Sequence, residues 1–170
     1  MRVRHRGTFT APPDVVFEAF TTPGVVVAKY EHLGHSNVRI VEFEQRFGTV
    51  TIRSRREVPT EVPGFASRFF RPSTVVEENI QWDSSQPDGS RSGTWQVTAR
   101  GVPVTAGGVQ RLVPTADGAT ERVVEGEVVC PMPGEQARLA EVVLAGIERT
   151  LVDEDLFIER WLSSQRSELR

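Results

Sequence analysis

The chain has 170 residues, with 23 acidic against 20 basic and a formal net charge of -3. Hydrophobic content of 38% and charged content of 25% exclude wholesale disorder and suit a single core-forming domain over residues 1–170. The acidic balance argues against a nucleic-acid partner, and one cysteine, Cys130, excludes an internal disulfide and fits a reducing cytoplasm. The opening, Met1-Arg-Val-Arg-His-Arg6, has no apolar core of a secretory signal. The run Val25-Val-Val-Ala28 is too short to span a bilayer, so no integral membrane segment is expected. Lys29 is the only lysine, which reads first as codon composition.

In chain order, Val3, His5, Gly7 and Phe9 alternate with Arg2, Arg4, Arg6 and Thr8, the period of a strand with its Val3 face inward. Pro13 and Asp14 open a short amphipathic helix carrying Val16 and Phe20. Pro23 opens a second, with Val26, Val27, Tyr30 and Leu33, that ends by Gly34. Strands follow near 37–44, 49–58, 74–83, 92–102, 109–114 and 120–130. Phe47-Gly48, residues 84–89 and Ala116-Asp-Gly118 separate neighbours as turns, and Gly107-Gly108 reads as a bulge or weak turn. Alternation fails between Pro59 and Ser73, where Phe65, Phe69 and Phe70 follow Pro63-Gly64, so a short helix or ordered loop is expected there. Pro131 and Pro133 then exclude a helix before about Glu135.

The last stretch, from about 135 to 165, carries Leu139, Val143, Ile147, Leu151, Ile158 and Leu162 at mostly i, i+4 spacing, one buried stripe of a long helix. Glu148, Arg149, Asp153 and Glu154 are assigned to the remaining, solvated circumference. Roughly thirty residues at 1.5 Å each make a rod of about 45 Å. Sequential antiparallel strands make a curled sheet whose inner face needs cover, and this helix is the element long enough to supply it. The first and last strands are expected to pair, because Arg4 and Arg6 on one face Glu121, Glu125 and Glu127 on the other.

This order resembles the START-like helix-grip superfamily (SRPBCC), which includes polyketide cyclases, lipid-transfer domains and the birch pollen allergen. The opening Phe9-Thr-Ala-Pro-Pro-Asp-Val-Val-Phe-Glu-Ala-Phe20 is similar to its first strand and Pro-led helix. Arg55-Arg-Glu-Val-Pro59, Gly93-Thr-Trp95 after the Gly89 turn, Gly101-Val-Pro103, Pro131-Met-Pro-Gly134 and Phe157-Ile-Glu-Arg-Trp-Leu162 look closer still to a bacterial family of unknown function within it. The resemblance implies an α+β fold in which a seven-stranded antiparallel sheet grips the long helix around an apolar cavity. It also implies a hydrophobic or lipid-like small molecule as partner, bound there in most members and transformed in a minority.

Chemical motifs are sparse. His5, His32 and His35 with one distant cysteine make no metal cluster, and no metal or other cofactor is expected. His32 and His35 read as exposed residues at a helix end. No Gly-x-Ser-x-Gly elbow or Gly-rich phosphate loop occurs, and Cys130 reads as a small buried apolar residue. Strand parity places Val50, Ile52, Ser54 and Arg56 on one inward face, and Val76, Glu78, Ile80 and Trp82 on the next. A few polar groups in an apolar cavity are what orients a ligand. Arg56 and Glu78 could equally pair at the sheet rim and serve register alone, and buried charges favour that reading. Tyr30, Trp82 and Trp95 suit either cavity wall or plain core.

The expected cavity is lined by His5, Tyr30, Ile52, Ser54, Arg56, Glu78, Ile80, Trp82, Trp95, Val97, Val143 and Ile147, with at least about 300 Å³ of space. Small residues at Gly7, Ser54, Ala99, Gly126, Ala140 and Gly146 leave that room. Its entrance is expected near Tyr30 and residues 63–70. Non-catalytic ligand binding is the leading functional reading. A polyketide cyclase or aromatase, with His5 and Glu78 as acid/base pair, is the alternative, and an interaction module with a filled core is the third. Ligand identity and oligomeric state are left open.

Overall fold

The computed structural model describes residues 1–60, 64–68, 71–131, 134 and 137–169, with Ala66 and Ala137 as backbone alone. Expectations that rest on Pro63, Phe69, Phe70, Pro133 and Glu135 lie outside those residues. The elements run β1 (Arg2–Phe9), α1 (Pro13–Thr21), α2 (Pro23–His32), β2 (Ser36–Arg46) and β3 (Thr49–Pro59). A 3₁₀ turn at Gly64–Ala66 precedes β4 (Ser73–Trp82), β5 (Arg91–Ala99), β6 (Thr105–Pro114), β7 (Thr120–Val129) and α3 (Ala137–Glu168).

All seven strands form one antiparallel sheet in the order β1-β7-β6-β5-β4-β3-β2. The first and last strands pair as the charges required: Arg4 faces Glu125, and Arg6 Nη1 donates to Glu121 Oε1 at 3.1 Å. Between β2 and β3, Phe47 (φ 49°) and Gly48 (φ 82°) make a two-residue turn with both residues left-handed, the form whose twist matches a hairpin. β6 starts at Thr105, so Gly107-Gly108 lies inside a strand and is neither bulge nor turn. A Cβ on Gly108 would stand 2.0 Å from the Glu125 carbonyl oxygen. One on Gly126, directly opposite, would stand 2.6 Å from the Trp95 ring. Glycine here lets two strands approach while Trp95 lies across them, its indole N–H donating to the Glu125 carbonyl at 3.3 Å.

α3 packs closest against β1, β7, α1 and α2, crossing the mouth of the curled sheet. The core beneath it is in two pieces. One joins Phe9, Phe17, Phe20, Tyr30, Ile52, Trp82, Leu112, Ile158 and Leu162. The other joins Val3, Trp95, Val102, Val104, Val124, Val128, Leu139 and Leu151. On α3 the stripe passes from the second cluster at Leu151 to the first at Ile158, and Glu154 stands between them, only 4% exposed. Glu154 thus belongs to the buried face and not to the solvated one. Three residues beyond Leu151 and four before Ile158, it sits where an i, i+3, i+4 stripe must place a side chain inward.

Candidate functional site

Between the inner sheet face and α3 lies a partly open cavity of about 330 Å³. Its floor follows from strand parity. Val50, Ile52, Ser54 and Arg56 face inward on β3, opposite Trp82, Ile80, Glu78 and Val76 on β4. Trp95, Val97 and Ala99 continue it on β5, Ala106 and Gln110 on β6, and Arg122 and Val124 on β7. α3 covers it from Val142 through Val143, Ile147 and Leu151 to Glu154. Tyr30, Ile52, Ser54, Arg56, Glu78, Ile80, Trp82, Trp95, Val97, Val143 and Ile147 all line this one space. His5 does not. β1 is the sheet edge that α3 packs upon, and Gly7, with no Cβ in the way, lets Asp155 Oδ2 reach His5 Nε2 at 2.5 Å. His5 is therefore a helix-to-sheet tie outside the cavity lining. The His5 and Glu78 acid/base pair is not assembled, since each is held by other partners.

One side of the cavity is charged. Arg56 Nη1 donates to Ser54 Oγ and to Glu78 Oε2, both at 3.2 Å, and the Tyr30 hydroxyl donates to the same Glu78 oxygen. The Arg56 guanidinium also lies 3.7 Å above the centre of the Tyr30 ring, a cation over an aromatic face. The Arg56 and Glu78 pair lies buried beside the cavity and not at an exposed sheet rim, since Arg56 is 4% exposed and both residues border the cavity. Burial pushes the Tyr30 hydroxyl well above its ordinary pKa, with Arg56 opposing, so Tyr30 stays protonated and remains a donor.

The second half of the network comes from residues whose roles the sequence reading missed. Lys29 is 3% exposed on α2, with Nζ 3.2 Å from Glu154 Oε1 and 4.3 Å from the Tyr30 ring centre. Arg122, 4% exposed on β7, donates to Glu154 at 3.3 Å and to Asp155 Oδ1 at 2.6 Å. Burial pushes the Glu154 carboxyl up, but Lys29, Arg122 and Arg56, in that order, outweigh it and hold the group at about 2. Burial would likewise lower Arg122, and Asp155 with Glu154 reverses this. Both misses had a signal. Lys29 lies four residues after Val25 and three after Val26, on the buried face of α2. Arg122 keeps parity with Val124 on β7.

His35, expected to be exposed, stacks on Tyr30 with centroids 5.5 Å apart and planes at 10°. Burial, then the Arg56 charge, lowers it to about 4, so it is neutral near pH 7. Among the described residues no group of three His, Cys, Asp or Glu is placed to hold a metal ion, and no helix is long and apolar enough to cross a membrane.

A family model described as "Protein of unknown function (DUF2505)" matches residues 4–162. The comparison with curated proteins finds no match. Among solved structures, TTHA0849 from Thermus thermophilus superposes with a TM-score of 0.60 at 13% identity, covering 93% of this chain and 97% of that one. The Zhui aromatase/cyclase from Streptomyces sp. R1128 gives 0.60 at 18%, covering 100% and 96%. Ara h 8.0201 gives 0.56 at 16%, covering 96% and 98%. At such identities the likeness is one of fold, and that fold is the START-like helix grip.

Proposed function

The chain belongs to this family of unknown function, and we propose that the protein binds a hydrophobic, lipid-like small molecule between sheet and α3 without transforming it. The observation that carries the reading is the cavity itself. Its 330 Å³ lies at the small end of small-molecule sites, and its walls are mostly aliphatic and aromatic with polar groups gathered on one side. Such a wall removes apolar ligand surface from water at roughly 25 cal/mol per Å². Fixed polar groups orient what enters. The ligand-contacting set in this proposal is Tyr30, Ile52, Ser54, Arg56, Glu78, Ile80, Trp82, Trp95, Val97, Val143 and Ile147, with Gln110 and Arg122 added and His5 removed. A single cysteine suits action in a reducing cytoplasm.

Native mass spectrometry of the protein purified from its own host tests this. A retained mass released on denaturation supports it. Apo protein alone, together with no uptake of the neutral fluorophore N-phenyl-1-naphthylamine, overturns it.

One observation favours a second reading, a cyclase-like enzyme. Tyr30 and Arg56, both donating to the Glu78 carboxylate, form a connected set of proton donors and acceptor on the cavity wall. Incubation with linear poly-β-keto thioesters, read by mass spectrometry for loss of water on ring closure, separates it from passive binding.

A further inference from the structure

The charged side of the cavity has an uneven pattern of satisfied and unsatisfied groups. Three cations, Lys29, Arg56 and Arg122, are matched by three carboxylates, Glu78, Glu154 and Asp155, through contacts of 2.6 to 3.3 Å. The exposed Arg149 and Asp153, which also line the cavity, add one charge of each sign, so formal charge is balanced before any ligand enters. Hydrogen bonding is not. Arg56 Nε, Arg122 Nε and Gln110 Nε2 are buried with no partner, and all three residues line the cavity and are at least 96% buried. Each of these atoms is a donor. A buried donor left unpaired costs about 1–3 kcal/mol, and native structures carry few of them. Gln110 and Arg122 lie one inward row apart on paired strands, Gln110 opposite Val124 and Leu112 opposite Arg122. Arg56 borders the same cavity from β3, where it is paired to Glu78 and not to Glu154.

From this geometry we infer that the ligand carries an uncharged oxygen acceptor, a ketone, ester or lactone carbonyl, that is held by the unpartnered donors of Gln110 and Arg122. The inference rests on the ligand-binding reading above and specifies the polar end of what binds. A carboxylate would bring an unmatched negative charge beside buried cations that are already paired. An ammonium would bring a further positive charge beside the Arg122 and Arg56 guanidinium groups, whose nitrogens only donate. A hydrocarbon would leave the donors unpaired. A carbonyl oxygen accepts two hydrogen bonds and leaves the charge balance untouched.

Three probes of nearly one shape decide between these cases: 2-acetylnaphthalene, 2-isopropenylnaphthalene and 2-naphthoate, titrated calorimetrically at neutral pH into the intact protein and into Gln110→Met. Gln110 is the cleanest position because it is uncharged and its loss breaks no ion pair, and a thermal midpoint at or above the parent's verifies the fold of the variant. The parent protein should bind the ketone about fivefold or more tighter than the alkene, the factor of one net hydrogen bond, and tighter than the naphthoate. In Gln110→Met the preference for ketone over alkene should fall toward one while alkene affinity holds. Equal ketone and alkene binding in the parent would mean that ordered water keeps the donors, and it overturns the inference while the cavity reading stands. So does tightest binding of the naphthoate, or a ketone preference that Gln110→Met leaves intact. Binding of none of the three takes down both the inference and the ligand-binding reading.

Discussion

Glu154 is the residue on which the charged side of the cavity turns, since Lys29 and Arg122 both rest on it. Removing one partner from a buried ion group leaves uncompensated charge and costs about 3–5 kcal/mol. Glu154→Leu should lose stability on that scale in urea melts. Lys29→Met should lose it too, but the double variant should lose distinctly less than the sum, since the second change removes the charge that the first stranded. Additive losses would show the two charges to be independently solvated. His35 adds a pH dependence. Its folded pKa is about 4 against 6.5 for the free side chain, so unfolding takes up a proton between those values. The stabilisation is whole above pH 6.5 and is lost as pH falls toward 4. Of the charges that act on it, burial would lower Arg56 but Tyr30 and its carboxylate neighbours raise it, and Glu154 is held at about 2, so both stay charged through that window. His35→Phe keeps a ring stacked on Tyr30, and melts at pH 7 and pH 5 should differ less in this variant than in the parent. These residues also mark where sequence reading stopped. Arg56 and Glu78 were legible from strand parity. Lys29 and Glu154 were not, because charge was weighed above position, although both occupy inward helical positions.

At the scale of elements, the strands, both short helices and α3 were legible, because their periods of two and 3.6 are set by backbone geometry and each buries one face. The start of β6 was not, since a Gly-Gly pair has no side chains to show alternation. What its glycines do depends on a partner strand that only the fold supplies. Gly126→Ala should accordingly be worse than an ordinary Gly-to-Ala change in a strand. Its Cβ would meet the Gly107 carbonyl oxygen at 2.4 Å and the Trp95 ring at 2.6 Å. Overpacking of this kind costs about 1–3 kcal/mol. A stabilised Gly126→Ala protein would mean that β6 and β7 do not approach as described. On α3, Leu151 is buried beside the cavity and Glu148 faces solvent. Leu151→Ala should cost about 2–5 kcal/mol and Glu148→Ala less than about 0.5 kcal/mol. Equal losses in urea would put the wrong face of α3 against the sheet.

For the whole molecule, the question is whether the space between sheet and helix is an unfilled volume that a ligand enters, or a core that closes in solution. The two states answer differently to added bulk. Val97 is half-buried on β5 and lines the cavity between Trp95 and Ala99. In a close-packed interior, adding a ring there forces off-rotamer neighbours and loses about 1–3 kcal/mol. In an open cavity, Val97→Phe meets no atoms it must displace. It gains apolar contacts and removes volume that a ligand needs. The cavity reading therefore predicts that Val97→Phe keeps or raises the urea midpoint while affinity for N-phenyl-1-naphthylamine falls at least about tenfold, or 1.4 kcal/mol. A filled core predicts the reverse pairing: lost stability and no probe binding to lose. Because one substitution moves the two readouts in opposite directions under the two states, a melt and a titration on the same variant decide between a ligand carrier and an interaction module whose sheet has closed on its helix.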